Sequence, residues 1–102
     1  MKQDFKFLNQ TYGLEMNATA EPEGDFQKCP GIVSYGGEHH KGVFKLTKTA
    51  WEAANRKAQE RKKPLDQILV EGCVGALKAE LYIRPIPDGF NYVVDHRFFE
   101  GL

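Results

Sequence analysis

Apolar residues recur along the chain at two spacings, and the change between them divides the sequence. Near the start, "DFKFL" sets Phe5 and Phe7 against Lys6, a period of two that suits a strand buried on one face. "YGLEMNATA" repeats the alternation with Tyr12, Leu14, Met16 and Ala18, and Asn9 and Gly13 in the intervening "NQTYG" supply a turn. The two runs read as a hairpin. "EPEGDFQKCPG", with its Pro and Gly pairs and three acidic groups, is predicted to be a loop. "IVSY" and "GVFKLT" follow as a second hairpin joined across "YGGEHHKG", where Gly36, Gly37 and Gly42 admit backbone conformations closed to other residues.

The period then lengthens. In "TAWE", Thr49 and Glu52 match the capping box, which starts a helix at Ala50. It must end before Pro64, which lacks an N–H and disfavours helical geometry in the residue before it. A second helix begins near Pro64, with Leu65, Ile68, Leu69, Gly72, Cys73, Ala76 and Leu77 forming an apolar stripe. Alternation returns in "ELYIRPIPDGFNYVVDHRFF". Leu81 and Ile83 form one arm of a C-terminal hairpin and Phe90, Tyr92 and Val94 the other, with "DG" as the turn.

These elements predict a single α+β domain over residues 1–102, a mainly antiparallel sheet with two consecutive helices on one face. The pattern leaves strand order open. At 102 residues, 41% of them hydrophobic, the chain supports one modest core. A domain of this size often completes its buried surface by oligomerising. Gly72 and Ala76, small and four apart, mark either a homodimer seam or close internal packing.

No apolar run approaches the roughly 18 residues of a membrane span, and "MKQDFKFLNQ" lacks the apolar stretch of a secretory signal. The cytoplasm is therefore the expected compartment, with no membrane partner and with Cys29 and Cys73 as free thiols.

The formal net charge is zero, but its distribution is uneven. Between Lys41 and Lys63 stand eight Lys or Arg against Glu52 and Glu60, so the rest of the chain carries a matching acidic excess. Lys48 precedes the first helix, and Arg56, Lys57, Arg61, Lys62 and Lys63 crowd its second half. A basic face of this kind attracts an acidic protein or phosphate groups. The plainer alternative is a solvated helix end, with cations against the C-terminal dipole and Glu60 pairing with Arg56 or Lys63. Trp51 falls on one side with Ala54 and Ala58, as an anchor on the sheet or as part of a binding surface.

The candidate chemistry is diffuse. Cys29, His39, His40 and His96 include metal-ligand types, with Glu38 and Asp95 as oxygen donors, but there is no HxH or CxxC pair. Adjacent strand residues face opposite ways, so His39 and His40 share an ion only if their segment curls. Nucleophilic catalysis would need Cys29 within hydrogen-bond reach of a histidine; Cys73 lies on the apolar stripe and reads as a buried thiol. Neither a P-loop nor a dinucleotide fingerprint is present, and no catalytic residue, metal or cofactor is assigned.

The leading expectation is a small cytoplasmic binding or accessory protein that meets an acidic protein partner through Lys48, Trp51, Arg56, Lys57, Arg61 and Lys63. Nucleic-acid binding through the same face is the first alternative. A small enzyme or metal-binding protein with a site near Cys29, Glu38, His39, His40 and His96 is the second.

Overall fold

In the computed structural model, which describes residues 1–102, the first alternating runs pair as predicted: β1 (Lys2–Phe7) lies antiparallel to β2 (Gln10–Met16), with Phe5 opposite Tyr12. The turn is tighter than expected. Leu8 and Asn9 form it alone, both with positive φ (49° and 66°) as a two-residue hairpin with a primed turn requires. Gly13, expected in the turn, stands inside β2 opposite Asp4, and Ala18 falls beyond the strand.

The predicted loop is instead two strands. β3 (Glu21–Glu23) turns at Gly24–Asp25 into β4 (Phe26–Tyr35). Proline is tolerated here for positional reasons. Pro22 sits on a three-residue strand, and Pro30 falls between the part of β4 registered with β3 (Phe26–Lys28) and the part registered with β2 (Gly31–Ser34). The second hairpin, from β4 to β5 (Glu38–Leu46), turns at Gly36 and Gly37, whose φ values of 57° and 79° suit glycine. The histidine pair therefore lies on a strand, not in a loop.

α1 (Lys48–Arg61) starts two residues before the predicted position. Thr47, not Thr49, is the cap: its Oγ1 accepts the Ala50 N–H at 3.1 Å. The Thr47 N–H donates to Val94 O at 3.1 Å, which holds Thr47 extended at the strand end and lets the helix begin immediately after it. Lys62 closes α1 in the left-handed region, and α2 (Leu65–Leu81) follows Pro64.

The C-terminal hairpin does not form. α2 continues through Leu81, and residues 82–89 are a loop whose prolines cannot donate to a ladder. β6 (Phe90–Val94) pairs parallel with β5, the two helices providing the crossover that a parallel pair needs. Asp88 Oδ1 accepts the Lys41 N–H at 3.1 Å and Lys41 O accepts the Gly89 N–H at 2.7 Å, which fixes where β6 begins.

The strand order is β1-β2-β4-β5-β6, with β3 beside the first part of β4. The helices cover one face, where Leu14, Val33, Phe44 and Leu46 meet Ile68, Leu69 and Leu77. Glycines make flat seats for rings in this layer: a Cβ on Gly31 would fall 2.7 Å from Phe44, and one on Gly42 would fall 2.3 Å from Phe90. Gly72 and Ala76 are internal packing positions. Phe99, from the unpredicted short helix α3 (Arg97–Glu100), lies on Gly72, and Ala76 is buried in the same core.

Candidate functional site

The basic segment of α1 does not form one stripe. Successive helix residues are about 100° apart, so Arg56 points to solvent while Lys57 lies toward the core side, its side chain only 20% exposed. A lysine this buried keeps its charged head at the surface while its stem is shielded from water. Both side chains approach one carboxylate: Glu60 lies 3.9 Å from Arg56 Nε and 3.7 Å from Lys57 Nζ. Lys63 approaches Glu71 at 3.8 Å. Arg61 and Lys62 are exposed and belong to no ion pair.

The surplus therefore concentrates at the C-terminal end of α1. It sits where helix carbonyls are least satisfied, which favours cations there. Lys62, absent from the predicted contact set, is central to it. Its φ of 53° is unusual for a residue with a side chain, and its N–H closes the helix onto Gln59 O. Lys48 stands at the opposite end of the helix, about 20 Å away along the axis. Trp51 is half-buried and rests against the core with Ala58, as its spacing with Ala54 suggested.

The alternative site is dispersed. Cys29 is fully buried against the helices, where burial pushes its thiol up to about 11. A loop beside the acidic residues would have left Cys29 accessible, but β4 runs through this segment and turns position 29 inward. Cys73 is also buried, with its thiol raised well above the ordinary value by the same cause. His40 shares the inner face of the sheet but stands opposite Val33, four residues along β4 from Cys29, or about 13 Å.

The histidines have separate surroundings. His40 stacks on Tyr35 at 4.9 Å, with Nε2 3.4 Å from Glu38 Oε2. His39 faces the other side of the sheet and shares a 2.8 Å hydrogen bond with Ser34 Oγ. His96 Nδ1 lies 2.9 Å from Glu100 Oε1, while Asp95 is held by Arg97 at 2.8 Å. That arginine is the main cause holding the Asp95 carboxyl below its usual range. Nowhere do three His, Cys, Asp or Glu side chains gather as metal ligands would. Ser34 and His39 are a hydroxyl beside a base, but no third side chain hydrogen-bonds to His39 to orient it.

One exposed apolar surface was legible in the sequence only through Tyr82. Leu8, Tyr82 and Ile83 are 78%, 77% and 78% exposed and line one shallow groove of about 380 Å³ with Phe7, Tyr12 and Pro85. The two-residue turn exposes Leu8, and the loop after α2 exposes Tyr82 and Ile83. Of the two tyrosines that a C-terminal hairpin could turn toward solvent beside Arg84, Tyr82 is exposed and Tyr92 is buried, with Arg84 over its ring at 5.8 Å. No helix is long and apolar enough to cross a membrane. Compared with protein families, curated proteins and solved structures, the chain matches none.

Proposed function

We propose that the chain is a small cytoplasmic binding protein that docks an acidic protein segment on the C-terminal end of α1. One observation carries the reading: Arg61 and Lys62 stand exposed and unpaired beside Lys63, while Arg56 and Lys57 share the single carboxylate of Glu60. A positive surplus thus persists after the local ion pairs have formed. Such a field steers an acidic partner to the face, and the Arg61 guanidinium can bind a carboxylate through two parallel hydrogen bonds.

Nucleic acid would be drawn by the same field. A single-strand site also needs ring faces for the bases, and the exposed Tyr82 follows the far end of α2, about 25 Å from the basic end along that helix. This separation favours the acidic protein. The test is fluorescence anisotropy with a labelled Glu/Asp-rich peptide, a neutral peptide of equal length, and single- and double-stranded oligonucleotides across a salt series. The acidic peptide should bind saturably and more weakly as salt rises, and Arg61→Gln/Lys62→Gln/Lys63→Gln should weaken it by roughly tenfold or more. Unchanged binding by that variant overturns the proposal, and tighter binding of oligonucleotide than of peptide replaces it with the nucleic-acid reading.

A further inference from the structure

The two outer strands of the sheet are guarded differently. On its solvent side β1 presents Lys2, Asp4 and Lys6, whereas β6 reads Phe90-Asn91-Tyr92-Val93-Val94, with no charge and no proline. Charges and prolines are the usual means of keeping an edge from pairing with another chain. β6 has neither.

The ladder with β5 determines which β6 groups are free. Gly42, Phe44 and Leu46 are registered with Phe90, Tyr92 and Val94, and Val94 O accepts the Thr47 N–H at 3.1 Å. In a parallel ladder alternate residues turn both their N–H and their C=O to the same neighbour. Phe90, Tyr92 and Val94 thus face β5, and Asn91 and Val93 direct both groups outward. No strand lies beyond β6, and the Val93 residue is 58% exposed.

We propose that β6 pairs antiparallel with β6 of a second copy of this chain, about a two-fold axis at Tyr92, so that two sheets become one. In this register Asn91 of each copy stands opposite Val93 of the other, and their outward groups make about four backbone hydrogen bonds. Charge selects this edge over the other. The equivalent pairing of β1 about Asp4 would oppose Lys2 to Lys6 and Asp4 to Asp4, like charges throughout, which destabilises a strand pair. The β6 pairing opposes no charges within the strand. The seam is the sheet edge, and the Gly72 face of α2 stays internal.

Sedimentation equilibrium of the full chain across a concentration series, with amide exchange of Asn91 and Val93, tests the pairing. The wild type should approach twice the chain mass, with both amides protected more strongly as concentration rises. Val93→Pro removes an outward N–H without touching the β5 ladder, and Val93→Lys adds the missing guard. Each should raise the dissociation constant by roughly tenfold or more while circular dichroism shows an intact fold. A wild type that stays monomeric to millimolar concentration overturns the proposal. So does a dimer unaffected by Val93→Lys, or one that forms with no change in Asn91 and Val93 exchange.

Discussion

The ring of Phe99 lies directly on Gly72: a Cβ at position 72 would fall 2.2 Å from Phe99 Cε1. Two effects oppose each other at this position. Alanine is favoured over glycine inside a helix by about 1 kcal/mol, but forcing a methyl into a filled core costs about 1–3 kcal/mol. Steric crowding should win because the atom in the way belongs to a fully buried ring. Gly72→Ala is expected to lower stability in urea unfolding, and Phe99→Leu should be less harmful in the Gly72→Ala background than alone. Equal costs in both backgrounds would mean that ring and glycine are not coupled.

The start of α1 makes a second, local prediction. Thr47→Ala removes the acceptor of the Ala50 N–H and should cost about 1 kcal/mol, whereas Thr49→Ala should stay within about 0.5 kcal/mol. Chemical denaturation of the two variants measures the difference. The opposite order would place the cap at Thr49.

Stability should fall in alkali. Burial raises Cys29 from 9.0 to about 11, so the folded chain keeps a proton that the unfolded chain releases in this interval. The contribution is complete below pH 9 and is lost as pH rises through 11, with a slope of up to about 1.4 kcal/mol per pH unit. Cys73, raised by burial in the same sense, adds to the loss. Tyr35 and Tyr92, also raised chiefly by burial, extend it above pH 10. Unfolding curves from pH 9 to 11 check the sign, and a flat profile contradicts it.

Lys62 links stability to binding. Its left-handed backbone is a position that glycine fills without strain, so Lys62→Gly should stabilise the fold by about 1 kcal/mol. The same change removes one of the two unpaired cations and should weaken acidic-peptide binding. Thermal melts and anisotropy on the one variant separate these effects, and a gain in stability without loss of binding would remove Lys62 from the proposed site.

The parts of the fold set by local chemistry were legible in the sequence. The first hairpin, the helix break at Pro64 and the inward stripe of α2 each follow from side-chain spacing or a missing N–H. What depended on distant residues was not. Strand pairing of Phe26–Tyr35 overrode the loop composition of its neighbourhood, and Leu81 joined α2 because the core reaches that far. Thr47 outranked Thr49 through a hydrogen bond to Val94, 47 residues away in sequence. For the candidate site, the cationic cluster was visible in the residue types. The sharing of Glu60, the removal of Lys48 to the other helix end and the freedom of Lys62 required the helix geometry.

The most direct test of docking at the basic end of α1 is a ¹⁵N chemical-shift titration of the protein with the acidic peptide. Shifts should concentrate in Arg56–Lys63 and the first turn of α2, and be reduced in the Arg61→Gln/Lys62→Gln/Lys63→Gln variant. Shifts centred on Leu8, Tyr82 and Ile83, or on the outer face of the sheet around Ser34 and His39, would contradict it.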